Sequence, residues 1–228
     1  MASYFLDDYV NEVYSRLGLE SMTHMEKAGV ERQIQAAVAA YSGDNPQVVF
    51  QSYTGDGTNR YTLPTSWSDN FSIIRRIEYP AGEDAPVYLK PNRYGVINNG
   101  TSAKIQLYTI NPGSSDTFVV EYTAPHTLTA TTSTIADGDY RAVVNLSTSF
   151  TCMAVASILL RTRDSRISAD SLNLRTASDE YKAMAKEYYE LYRTMMGIPK
   201  DGPRPADAIG DIDLPSKWPY PYLVHTGR

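Results

Sequence analysis

The sequence predicts an α+β protein: a four-helix bundle-like domain built from both ends of the chain, an inserted antiparallel β-sandwich- or barrel-like domain, and an extended C-terminal arm. Three observations carry this. Apolar residues recur at steps of three and four near both ends, the period shortens to strand-like alternation in the middle, and six of the 13 prolines fall at or beyond Pro199. The expected boundaries are 1–43 with 136–198 for the helical domain, 44–135 for the β insertion and 199–228 for the arm.

The first helix is expected over Tyr4–Leu17, where Leu6, Val10, Val13, Tyr14 and Leu17 share one face and Gly18 is a natural stop. Thr23-His24-Met25-Glu26 has the form of a capping box for a second helix, whose face is Val30, Ile34, Ala37, Val38 and Tyr41. Ser42-Gly43-Asp44-Asn45-Pro46 ends it. Seven short strands then follow: 48–53, 60–63, 72–79, 86–89, 94–97, 104–108 and 117–123. Asp56-Gly57 and Asn99-Gly100 read as type I′ hairpin turns, because these residues accept positive φ cheaply. In the last strand Phe118, Val120 and Tyr122 alternate with Val119, Glu121 and Thr123, as for a strand with one more deeply buried face.

Helix resumes after Asp137-Gly138-Asp139. Its expected stripe is Val143, Leu146, Phe150, Met153, Ser157 and Leu160, with Ser147, Thr151 and Ala154 small enough for close approach of a neighbour. The fourth helix, 177–196, should bury Tyr181, Met184, Tyr188, Leu191 and Met195 before Gly197 and Pro199 stop it. Two separate two-helix hairpins could not bury all these faces, so the ends of the chain are expected to share one core.

Composition narrows the function. Lys+Arg 21 against Asp+Glu 26 gives a net charge of −5, which argues against gripping nucleic acid over the whole surface. The single cysteine, Cys152, precludes an intrachain disulfide and fits a reducing compartment. No apolar run is seen to reach the ~20 residues that a membrane span needs, and the N-terminus MASYFLDDYV carries acids where a signal peptide carries bases. Tyrosine, at 18 copies, is the outlier; it suits surfaces that are wet in one state and covered in another.

Motifs for chemistry are sparse. His24, His126 and His225 lie in three separate regions without metal-ligand spacing, and no zinc, nucleophile-elbow, phosphate-loop or dinucleotide pattern occurs. Cys152 reads as a buried structural thiol rather than a nucleophile. Thr54–Asn59 resembles a calcium loop but lacks the later bidentate acid, and Asp137 and Asp139 are explained by helix capping. Glu78 with Glu83-Asp84 could be imagined as a glycosidase pair, without support from spacing. No catalytic residue, metal or cofactor is therefore expected. Arg161, Arg163 and Arg166 form the one basic cluster: either cations at a helix C-terminus or contacts to DNA phosphates or an acidic partner. In the arm, Lys217-Trp218-Pro219-Tyr220-Pro221-Tyr222-Leu223 presents rings on a stiff backbone. Solvated tails need no aromatics, so Trp218, Tyr220, Tyr222 and Leu223 read as docking anchors.

The order helix, helix, β insertion, helix, helix, arm resembles the head–tail adaptor (connector) proteins of tailed bacteriophages. So do Tyr4–Val10, Thr54–Tyr61 with Leu63-Pro64, Ile77–Glu83 and Val120–His126. The β region is larger than in many adaptors. The resemblance implies a structural virion protein at the head–tail junction, assembled in the bacterial cytoplasm. It would form a homo-oligomeric, twelve-fold ring beneath the portal protein, extend the DNA channel and receive the next tail-side component, with no membrane partner. An acidic channel wall would let DNA slide rather than hold it. Two competing readings are a tail terminator or baseplate subunit, and a carbohydrate- or receptor-binding β module; the second leaves the helices and arm unexplained.

Overall fold

The chain's computed structural model describes residues 4–18, 25–98, 102–161 and 168–199, with side chains described except over 168–176. It is an α+β fold of four helices and two antiparallel sheets: α1 (Leu6–Leu17), α2 (Lys27–Asp44), β1 (Gln47–Thr54), β2 (Arg60–Thr62), β3 (Ile74–Glu78), β4 (Tyr94–Asn98), β5 (Ala103–Leu107), β6 (Thr117–Ala124), α3 (Tyr140–Arg161) and α4 (Ser168–Met195).

The helices form as their sequences dictate. The Asp8 carboxylate accepts the Phe5 backbone N–H at 2.7 Å at the start of α1, and Gly18 closes the helix in the left-handed conformation at φ 59°. Tyr9, Val10, Val13 and Leu17 are buried. For α2 the expected cap is displaced: Glu26 is the N-cap and its side chain caps nothing, while Thr23 and His24 lie outside the described residues. The helix also runs through Ser42-Gly43 to Asp44 before Asn45 ends it.

Helix α3 packs against α1, α2 and α4, and this changes its buried surface. Every residue from Ala142 to Ser149 is buried, so the first half has no solvent face. In the second half Cys152, Val155, Ala156 and Leu159 are buried, whereas Met153, Ser157 and Leu160 of the expected stripe are exposed. The stripe reading fails because a helix enclosed by three others has no single apolar face. The same enclosure corrects the membrane expectation. The stretch Asp137–Arg161 contains a window of 18 residues apolar enough to cross a bilayer, but 67% of that window is buried within the protein.

Three of the hydroxyls inside α3 are satisfied locally. Ser147, Thr148 and Thr151 donate to the carbonyls four residues back at 2.8 Å each. Close approach to α4 comes through other small residues: Ser149 donates to the Ala185 carbonyl at 2.7 Å, and Ser178 to the Ala156 carbonyl at 3.1 Å. On α4 the buried line is Ser178, Ala185 and Tyr192, flanked by half-buried Tyr181, Met184 and Tyr188. Leu191 and Met195, expected inside, are 45% and 54% exposed. One apolar cluster joins residues of all four helices with Leu128 and Ile135.

The β region has six strands among the described residues, in two three-stranded sheets ordered β1-β6-β3 and β2-β5-β4. The remaining expected strand, the fourth at 86–89, reduces to a single bridge between Tyr88 and Glu78. Asp56-Gly57 makes a turn, with Gly57 at φ 78° and the Asp56 side chain accepting the Thr58 N–H at 2.9 Å. It is not a hairpin, because β1 pairs with β6 and β2 with β5. The β4–β5 pair is a hairpin running in register from Tyr94↔Leu107 to Asn98↔Ala103, its Asn99-Gly100 lying outside the described residues. Both sheets contribute to a second apolar cluster: Ile77, Phe118, Val120 and Tyr122 from one, Tyr61, Tyr94, Ile105 and Leu107 from the other. Strand β6, central in its sheet, buries its opposite side as well, with Glu121 and Thr123 each 5% exposed.

Candidate interaction surface

The sequence-predicted site residues are scattered or lie beyond description. Arg161 is exposed at the C-terminal end of α3, where a cation offsets the helix dipole. Arg163, Arg166 and the anchors Trp218, Tyr220, Tyr222 and Leu223 lie outside the described residues. Among the described residues no three His, Cys, Asp or Glu side chains group as metal ligands would. Cys152 is fully buried, and desolvation pushes its thiol up to about 12, far from the thiolate range of a nucleophile.

What the structure does assemble is a polar and aromatic patch on the outer side of the β1-β6-β3 sheet. Register builds it. Arg76 and Phe50 both stand opposite Glu121, one on each flanking strand. Glu121 is buried although it faces away from the apolar cluster, because Arg76 covers it with a short charge-assisted hydrogen bond and Arg75 approaches to 3.7 Å. That bond raises the Arg76 pKa further, keeping the guanidinium charged. The Arg76 guanidinium also lies over the Tyr88 ring, 4.4 Å from its centroid. Around this ion pair Phe50, Ile73 and Tyr88 are 62%, 63% and 43% exposed. Arginine, aromatic and exposed aliphatic side chains grouped in this way are residue types enriched at protein interfaces.

A shallow cleft of about 770 Å³ opens beside this patch, lined by Trp67, Asn70, Ile73, Tyr94 and Val96 among others. Polar groups in it come from Asp69, Ser72, Asn98 and Ser102, and among the described residues no histidine or cysteine lines it. Neither the cleft nor the patch was legible beforehand. Arg76 and Glu121 are 45 residues apart, and the only local sign was an acid placed mid-strand in Thr117–Ala124.

A second polar knot ties the β region to the helices. The His126 backbone N–H donates to Ser42 Oγ at 2.9 Å, and its ring nitrogens meet the carbonyls of Thr134 at 3.0 Å and Asn45 at 2.9 Å. Burial holds the His126 pKa below its usual value. The Tyr41 hydroxyl donates to Asp139 Oδ2 at 2.6 Å, so Asp139 serves the joint between α2 and α3.

No family model matches the chain, and no curated protein does. Solved structures contain similar chains, two of which are as follows. One is described as the neck of an empty GTA particle computed with C6 symmetry; it is 15% identical, with 76% of this chain and 88% of that chain covered and a TM-score of 0.28. The other, the virion of a native gene transfer agent particle, is 13% identical over 78% and 88%, again with a TM-score of 0.28.

Proposed function

We propose that this chain is a structural subunit of a tailed-phage-like virion: a head–tail adaptor that closes into a ring and joins the portal vertex to the tail. The observation that carries the reading is the order of the chain itself. A helical core draws on both ends, with α1 and α2 packing on α3, while the two sheets lie between in sequence and keep their own apolar cluster. The adaptor resemblance has the same order. On this reading 1–43 with 136–198 form the body, 44–135 the insertion and 199–228 the arm. Trp218, Tyr220, Tyr222 and Leu223 anchor that arm on a neighbouring subunit or the portal protein. The exposed patch around Phe50 and Arg76 suits a heterologous side contact, which closes into a ring when successive rotations complete a circle. Arg161, Arg163 and Arg166 are then candidates for passing contacts with DNA in the channel.

Native mass spectrometry of the full chain, alone and with candidate portal proteins, tests this. Closed rings of one subunit number, twelve on this proposal, are expected with the cognate portal. A protein that stays monomeric with every portal offered and instead binds a glycan array overturns the adaptor reading.

A further inference from the structure

We propose that β1 is an open docking edge, and that the segment Trp218–Val224 of a neighbouring copy adds to it as a further strand. This rests on the arm-docking reading above and names where the arm goes.

The edge comes first. The sheet has two outer strands, β3 and β1. Beyond β3 the edge is occupied: the Tyr79 N–H donates to the Val87 carbonyl at 2.9 Å and the Leu89 N–H to the Ile77 carbonyl at 2.8 Å. Beyond β1 no backbone hydrogen bond is made by any described residue. The phase of the ladder shows which groups are left. The Gly55 N–H donates to the Asp116 carbonyl at 2.9 Å, continuing the register that pairs Thr54 with Thr117. Antiparallel pairs alternate, so Val49, Gln51 and Tyr53 bond β6, while Val48, Phe50, Ser52 and Thr54 turn their N–H and C=O groups outward. On this edge strand Phe50, Ser52 and Thr54 have exposed side chains, while Val49 and Tyr53 pack on the apolar cluster. Strands that must stay unpaired are guarded by lysine, proline, a bulge or short length. This one, QVVFQSYT, has eight residues, no charge, no proline and an unbroken register.

The segment fits such an edge in one phase only. In extended backbone, alternate residues direct their N–H groups to the same side. Trp218, Tyr220, Tyr222 and Val224 form one set, and all have an N–H; Pro219 and Pro221 fall in the other. Prolines are tolerated on the outward side of an edge strand, where no donor is needed, and they hold the preceding residues Trp218 and Tyr220 in extended backbone. Added to β1, the segment would bond through the first set and show its prolines outward, where they stop any further strand. The donor is another copy on the arm-docking reading, and the chain has the reach for it. The Tyr192 hydroxyl donates to the Asp44 carboxylate, so the end of α4 already lies beside the start of β1. The 18 residues from 200 to 217 can extend over roughly 60 Å, long enough to cross to a neighbouring copy.

The test uses the full chain and a labelled synthetic peptide of residues 216–225, with binding read by fluorescence anisotropy. Saturable binding is expected. Methylating the peptide nitrogen of Tyr220 should weaken it at least tenfold, whereas methylating that of Leu223 should leave it within twofold. On the protein, Ser52→Pro removes an outward N–H and no β6 bond, and should weaken binding at least tenfold with the melting temperature retained. If that variant unfolds, Phe50→Lys on the same edge takes its place. Binding that ignores both methylations and both substitutions overturns the β1 edge while leaving the arm a docking element. No binding at millimolar peptide overturns the inference, and the arm reading is then decided separately by whether chains lacking 212–228 still attach to the portal. Faster peptide exchange on dilution of the protein is expected; a concentration-independent block by the chain's own arm would overturn donation by another copy.

Discussion

The buried tyrosines decide how this protein meets alkali. Tyr9 and Tyr41 are almost wholly enclosed, and desolvation raises both hydroxyls well above their usual range; Tyr53 is pushed up to about 12 by the same cause. An acid whose pKa is higher in the folded chain is deprotonated first in the unfolded one. Stability is therefore intact below about pH 10, where free tyrosine titrates, and is lost progressively as pH rises from there through the raised folded values. Ultraviolet titration should show exposed tyrosines ionising first and a late group appearing only with unfolding. Smooth titration of all 18 at one midpoint would contradict this burial. His126 works in the acid direction. Its folded pKa is depressed by burial, so the unfolded chain binds the proton first, and stability should fall as pH drops below about 6.5. His126→Gln should flatten that limb of the pH–stability curve while keeping a donor near Asn45 or Thr134.

At the scale of elements, the helices and most strands were readable because local period and turn chemistry are enough to specify them. Leu6 to Leu17 and Val30 to Tyr41 carry a one-sided pattern, and one side is what they bury. Pattern reading failed where the environment is not one-sided or the pairing is not local. Nothing near Val143 announces three helical neighbours, and nothing near Asp56 shows that β1 pairs with a strand more than sixty residues on. The patch at Glu121 was invisible for the same reason. These corrections make a sharp pair of predictions. Leu146→Ala should cost about 2–5 kcal/mol by opening a cavity, and Leu191→Ala, on the exposed side of α4, should stay within about 0.5 kcal/mol. Denaturant midpoints decide it. Gly55 gives an element-scale case of a different kind. A Cβ there would stand 2.2 Å from the Gly113 carbonyl oxygen and 2.5 Å from that of Pro112, both backbone atoms. Gly55→Ala should therefore cost about 1–3 kcal/mol through forced backbone movement, whereas Gly43→Ala, which meets nothing and removes a helical glycine, should stabilise by about 0.5–1 kcal/mol.

For the whole molecule the question is whether the two apolar clusters make two folding units, as the proposed domain division requires. The sheet itself supplies the means to ask. Gln47 and Ala124 are the first and last residues of the insertion's outer pair and stand opposite each other in the ladder. Opposed residues of an antiparallel pair lie about 5 Å apart, so a four-residue Gly/Ser turn can replace 48–123 without moving either end. The helical cluster includes no residue from 48–123, and the His126 contacts to Ser42, Asn45 and Thr134 all lie outside the excised stretch. The shortened chain should keep its helical circular dichroism and a single cooperative melt, and Cys152 should resist thiol reagents until that melt, as burial demands. Immediate labelling of Cys152 in the shortened chain would mean that the sheets are needed to hold α3 in place, and that the chain folds as one unit.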